Sequence, residues 1–139
     1  MTRRIHLLPI VLAAAVLAAT ALPASAQQRN CPPACAIDVD VPGDPSLPPA
    51  AQPETLVTVA GSEIMINTNS RVRIRFEDQS PFVNPGGNPI MNFVVNRGNR
   101  PMRVRTDGNA CSAQNPCKYM VHDLESPGRP PLDPYIIIQ

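Results

Sequence analysis

Histidine, tryptophan and net charge are all scarce in this chain of 139 residues. It has two histidines and no tryptophan, and its aromatics are three Phe and two Tyr. Twelve Lys and Arg stand against eleven Asp and Glu, for a formal charge of +1. So even a balance confers no general affinity for nucleic acid or for a membrane surface. The apolar stretch from Leu7 to Ala21 is interrupted by Pro9 and falls short of the roughly 20 residues a bilayer-spanning helix needs. No Gly-x-Ser-x-Gly occurs, which removes the nucleophile elbow of the α/β-hydrolases. At this length the chain makes one small domain, and large enzyme architectures are excluded.

What is present begins with an export signal. Thr2-Arg3-Arg4 precedes the apolar stretch, and Pro23-Ala24-Ser25-Ala26 ends in an Ala-x-Ala cleavage site followed by Gln27. Residues 1–26 therefore read as a signal peptide and residues 27–139 as one domain. The arginine pair is similar to a twin-arginine signal, but His6 stands where that signal carries an apolar residue, so general secretion is expected. Cleavage removes Arg3, Arg4, Pro9 and Pro23, which leaves a charge of about −1 and sixteen prolines, and His122 as the remaining histidine. That share of proline, more than twice the average, rules out long helices. The mature protein is expected to be soluble, without a membrane span, and periplasmic or secreted.

All four cysteines, Cys31, Cys35, Cys111 and Cys117, lie in the exported part, and an even count in an oxidising compartment predicts disulfides. The two prolines of Cys31-Pro32-Pro33-Ala34-Cys35 favour an extended polyproline path. That path would hold the cysteine α-carbons roughly 12 Å apart, against the about 4.4 to 6.8 Å a disulfide accepts. Bonds between the two cysteine pairs are therefore expected, with at least one joining the Cys31/Cys35 region to the Cys111/Cys117 region. Such a bond would add about 4 kcal/mol in the chain-entropy model. A local Cys111–Cys117 loop, turned at Asn115-Pro116, is the competing arrangement.

Apolar periodicity points to strands throughout. Alternation runs through Ala36–Val41 and part of Thr55–Val59, and Glu63–Ile66 follows a turn at Ala60-Gly61-Ser62. The clearest strand is Arg71–Phe76, with Val72, Ile74 and Phe76 on one face and three arginines on the other. Phe93–Val95, Met102–Arg105, Lys118–His122 and Tyr135–Ile138 complete the set. Residues 42–53 are so rich in proline that they read as an extended surface connection. Residues 77–90 read as a loop, and Asn67-Thr68-Asn69-Ser70 and 96–101 as turns. Seven to eight short strands predict an all-β fold, an antiparallel β-sandwich. Lys118-Tyr119-x-Val121 followed by Leu132-Asp133-Pro134-x-Ile136 resembles the closing pattern of small exported bacterial proteins with an immunoglobulin-like or cupredoxin-like sandwich. The resemblance covers about 20 residues and implies a fold, with no activity attached.

Copper is the first chemistry to weigh against such a fold. Cys117, Met120 and His122 are the right ligand types, but a blue-copper site wants two imidazoles and the mature chain has one. Cys31-Pro32-Pro33-Ala34-Cys35 is similar to the copper motif of the Sco family, in which a distant histidine completes the site. His122 would be that ligand here, although that family carries the motif on a thioredoxin-type fold that this sequence does not predict. Cys31, Cys35 and His122 thus define an alternative reading as a copper-handling or thiol-redox protein. The expectation otherwise is no metal, no cofactor and no catalysis. Asp38 and Asp40 share a strand face and read as its wet side rather than an acid–base pair.

The feature with most functional promise is cationic. Arg71, Arg73 and Arg75 alternate along one strand, and Arg103 and Arg105 along another. If both strands share a sheet, up to five guanidiniums face one way and suit phosphate, lipopolysaccharide or an acidic protein. The plain alternative is a solvated sheet face neutralised by Glu63, Glu77 or Asp107. The sequence therefore predicts a monomeric, disulfide-braced binding or structural protein, with an anionic envelope component or another protein as partner and no nucleic acid. N-terminal sequencing of the exported protein is expected to start at Gln27; an uncleaved, membrane-bound product would overturn the export reading.

Overall fold

The computed structural model describes residues 28–33, 35–107 and 110–139; the expected signal peptide and Gln27 lie outside them. The described residues form ten strands and no helix: β1 Gln28–Asn30, β2 Ala36–Asp40, β3 Ala50–Gln52, β4 Thr55–Thr58 and β5 Glu63–Thr68, then β6 Val72–Phe76, β7 Asn92–Val95, β8 Gly98–Arg103, β9 Cys117–Asp123 and β10 Tyr135–Ile138. They make two sheets, one of six strands in the order β1-β4-β10-β9-β6-β7 and one of four in the order β3-β2-β5-β8. Alternation decides which face each strand buries. β6 turns Val72, Ile74 and Phe76 inward and leaves Arg73 and Arg75 exposed. From the other sheet, Ile37 and Val39 of β2 and Ile64 and Ile66 of β5 enter the same core. The chain is thus the all-β sandwich that its periodicity predicts.

Strand pairing is mixed rather than purely antiparallel. β4 runs parallel to both β1 and β10, and β2 runs parallel to β5. Each parallel pair is separated along the chain by at least one strand of the opposite sheet, which supplies the long crossover that parallel neighbours require. Two strands carry too little apolar periodicity to be read from sequence. β1 is exposed at all three positions, and β3 lies between Pro49 and Pro53 inside the segment expected to be a plain connection. Both are edge strands, where a short ladder and nearby prolines are tolerated. β8 likewise begins at Gly98 and runs through Pro101, again on an edge.

The cysteines correct the expected connectivity. Cys31 bonds to Cys35 and Cys111 to Cys117, each with α-carbons 4.6 Å apart. The first segment is a turn, not an extended polyproline path: the Cys31-Pro32 and Pro32-Pro33 bonds are cis. Each bond closes a short loop and contributes about 2 kcal/mol in the chain-entropy model, not the larger sum expected of a long-range link. Both sit where the backbone changes partners. The Cys31 amide donates to the Val57 carbonyl of the six-stranded sheet at 2.7 Å, and the Cys35 carbonyl accepts from Met65 of the four-stranded sheet at 2.9 Å. The first disulfide therefore locks the step from one sheet to the other. The second holds Cys111, at φ 61°, beside β10, where the Cys111 carbonyl accepts from Ile138 at 2.8 Å.

Residues 77–90 are anchored to the core by one side chain. Phe82 is fully buried and meets Phe76 and Phe93 edge-on, with ring centroids 5.8 and 5.9 Å away. Tyr119 packs on Phe76 at 5.5 Å, so four of the five aromatics form a single cluster. Burial pushes the Tyr119 phenol well above its ordinary range. Beside Phe82, the Val83 amide donates to Arg103 and the Arg105 amide to Pro81, tying the loop to the β8 side. Replacing Phe82 with Ala is expected to cost about 3 to 5 kcal/mol, because the ring leaves a cavity that its rigid neighbours cannot fill. A urea-unfolding midpoint unchanged from the original protein would show that the loop is not anchored this way.

Candidate functional site

The outer face of the six-stranded sheet is built from period-two alternation in its antiparallel strands. Arg73 lies opposite His122 of β9 and Val94 of β7, and Arg75 opposite Met120 and Asn92. Arg71, just before β6, continues the same face, and its carbonyl accepts from the Leu124 amide at 2.9 Å. Arg73, Arg75, Asn92, His122 and Asp123, with Leu124 and Pro127, line a groove of about 330 Å³. Four ion pairs form among the described residues: Arg97–Glu125, Arg105–Asp107, Lys118–Asp133 and Arg129–Asp123. None involves Arg71, Arg73 or Arg75, whose guanidiniums stand exposed without a carboxylate.

Arg103 and Arg105 do not join them, which corrects the expectation of one five-arginine patch. β8 belongs to the four-stranded sheet, so Arg103 faces away from the opposite side of the sandwich, in register with Glu63. Arg105 lies beyond β8, half-buried and paired with Asp107, and its Nη1 donates to the Ser80 carbonyl at 3.4 Å. The hydrogen bond from Arg105 holds the Asp107 carboxyl below its usual range. Two strands with like patterns were assigned by alternation alone, and alternation does not say to which sheet a strand belongs.

Beneath one end of the groove lies a buried charge pair. Asp123 closes β9 with its side chain inward, and Arg129 follows in the Pro127-Gly128-Arg129-Pro130 turn. Their side chains are 2% and 3% exposed, and Arg129 Nε donates to Asp123 Oδ2 at 3.1 Å. Arg129 Nη1 donates to the carbonyls of Asp44 and Leu47 at 2.6 Å each, and Nη2 to that of Pro42 at 2.8 Å. Asp123 Oδ1 accepts from Ser70 Oγ at 3.1 Å and from the Glu125 amide at 3.0 Å. Burial alone pushes the Asp123 carboxyl up; the Glu125 amide, Ser70 hydroxyl and Arg129 guanidinium outweigh it and hold the carboxyl below its ordinary 3.8. The pair is structural, and it draws the proline-rich segment onto the sandwich.

The copper ligands of the alternative reading do not converge. Cys31 and Cys35 are consumed by their own disulfide, as are Cys111 and Cys117. His122 sits on β9, three strand positions from β1, which is roughly 14 Å across a sheet. Cys117 is buried inward while His122 and Met120 face outward on the same strand. Among the described residues, no group of three or more His, Cys, Asp or Glu is arranged to hold a metal ion. The two disulfides and the outward-facing imidazole therefore do not fit a copper centre in this arrangement.

The sequence matches no protein-family model and no curated protein. Among solved structures, the chain is similar to a purple cupredoxin from Nitrosopumilus maritimus, at 15% identity and a TM-score of 0.39, over 76% of this chain and 99% of that one. It is also similar to a Cu-containing nitrite reductase from Thermus scotoductus SA-01, at 13% identity and a TM-score of 0.38, over 73% of this chain and 22% of that one. At TM-scores this low, neither likeness assigns this chain a fold family or an activity.

Sequence reading finds the β6 arginines but misses Asn92, Leu124 and Pro127 at the groove, and the Asp123–Arg129 pair below it. The only local sign of that pair is an arginine set among prolines in Pro127-Gly128-Arg129-Pro130-Pro131, where no strand pattern accounts for it. Asp123→Asn is expected to cost about 3 kcal/mol at neutral pH, because it leaves a buried guanidinium without its counter-charge. Since the folded-state pKa of Asp123 is lowered, the pair's stabilisation is complete above the unfolded carboxyl value and is lost as pH falls through the folded one. The gap between the variant and the original protein, read from urea midpoints, should therefore narrow below about pH 4. A gap that stays constant across that range would remove Asp123 from the account.

Proposed function

We propose that this is an exported, non-catalytic binding protein, periplasmic or secreted, that holds an anionic partner on the outer face of its six-stranded sheet. One observation carries the reading: Arg71, just before β6, and Arg73 and Arg75 within it project from one sheet face with no carboxylate partner. Guanidiniums left free on a rigid sheet are pre-organised for oxyanions, since the strand fixes their spacing before the ligand arrives. Two disulfides and a locked crossover fit a protein that must keep such a face intact outside the reducing cytoplasm. The near-neutral total charge fits a local patch better than general adhesion to anionic surfaces.

Binding to immobilised lipopolysaccharide or polyglutamate should be measurable at 0.1 M salt and fall steeply toward 1 M, as the Debye length shortens from about 10 Å to about 3 Å. Arg73→Gln should weaken it while changing stability by no more than about 0.5 kcal/mol. Arg103→Gln, on the opposite face, should leave it unchanged. Equal losses from both substitutions, or no binding by the original protein, would return the β6 arginines to an ordinary solvated face.

A further inference from the structure

We propose that the groove beside Arg73 and Arg75 seats a phosphate monoester, with its phosphoryl oxygens on the two guanidiniums and its apolar substituent against Leu124 and Pro127. This rests on the reading of the six-stranded sheet's outer face as a binding surface and names the chemical class it takes. Arg73 and Arg75 are two positions apart on β6, so their α-carbons are roughly 6.8 Å apart along the strand, close enough for two long side chains to meet over one group. His122 lies directly across from Arg73, and Asn92 directly across from Arg75, which adds donors from both neighbouring strands. All four line the same groove of about 330 Å³.

The number of donors selects the ligand. A carboxylate offers two oxygens, which one arginine fork satisfies. A phosphate monoester offers three terminal oxygens and a charge of about −1.5 to −2 at neutral pH, a match for two guanidiniums with an imidazole and an amide beside them. The nearby carboxylates do not oppose it. Asp123 spends both oxygens on Ser70, Glu125 and Arg129 below the surface, and Glu125 is engaged by Arg97 at 2.7 Å. The groove wall changes character at Leu124 and Pro127, where apolar surface adjoins the cations, so the ligand pairs its charged head with an apolar body. A soluble organic phosphate and a phosphomonoester lipid headgroup share that chemistry.

Calorimetric titration of the exported protein with hexyl phosphate, hexanoate and inorganic phosphate tests it. Hexyl phosphate should bind about tenfold or more tighter than hexanoate and tighter than inorganic phosphate. Arg73→Gln and Arg75→Gln should each weaken it about tenfold, with unchanged melting temperatures confirming that the variants fold. Leu124→Ala should erase the advantage of hexyl phosphate over inorganic phosphate. Added sedimentation with phosphatidylcholine vesicles containing phosphatidic acid marks a lipid headgroup as the source; hexyl phosphate binding without sedimentation marks a soluble one. Hexanoate binding as tightly as hexyl phosphate overturns the proposal. If polyglutamate binds in an Arg73-dependent way and hexyl phosphate does not displace it, the ligand class falls and the binding face stands. If neither polyanion nor phosphate binds, both fall.

Discussion

The buried Asp123–Arg129 pair is the contact on which the arrangement around the groove depends. A guanidinium removed from water must satisfy its donors, and Arg129 does so by gathering three backbone carbonyls from residues 42–47 in addition to one carboxylate oxygen. Its cost of burial is thus offset by a segment that has no hydrophobic reason to dock, since proline-rich backbone there makes few ladder bonds of its own. The carboxylate in turn holds Ser70, at the entry to β6, and Glu125, at the exit of β9. The two strands that carry Arg73 and His122 are therefore pinned at the same end by one charge pair. That arrangement fixes where the exposed residues lining the groove begin.

The two disulfides act in a different way. Each closes a short loop, so each restrains the unfolded chain only modestly. Their importance lies in position: one fixes the passage from the six-stranded to the four-stranded sheet, and the other fixes the entry to β9 beside β10. Long-range cohesion comes instead from the aliphatic core and the cluster of Phe76, Phe82, Phe93 and Tyr119. Phe82 contributes to it from a loop, which leaves residues 84–89 exposed on a fixed base.

Charge is distributed unequally over the two outer faces, and the near-zero total conceals it. The six-stranded sheet shows Arg71, Arg73, Arg75 and His122 to solvent. On the four-stranded sheet, β2 exposes Asp38 and Asp40, and their carboxylates accept from Asn67 at 2.7 Å and Asn69 at 2.6 Å on β5 and the turn after it. Asp38 and Asp40 are thus occupied by amide donors from their own side, whereas on the six-stranded sheet Lys118 is paired with Asp133 and Arg71, Arg73 and Arg75 have no carboxylate partner.

The sequence by itself determined the strand content and the face of most strands, because period-two burial depends only on neighbours two residues apart: β6 and β10 read almost to the residue, and β2 and β9 nearly so. It also singled out Arg73, Arg75 and His122, whose residue types announce their chemistry. It could not assign strands to sheets, since Arg71–Phe76 and Met102–Arg105 alternate alike in sequence yet β6 and β8 lie in opposite layers, and this divided the expected five-arginine patch. It misplaced the disulfides because a polyproline preference describes an isolated segment, while the native turn is held by hydrogen bonds to two sheets. Arg129 was invisible for the same reason: Asp123 is near in sequence, but the three carbonyls that complete its burial lie 82 to 87 residues away. Alternation is a local property and was legible; proximity between distant segments is set by how the two sheets close over one core, and only the tertiary structure decides it.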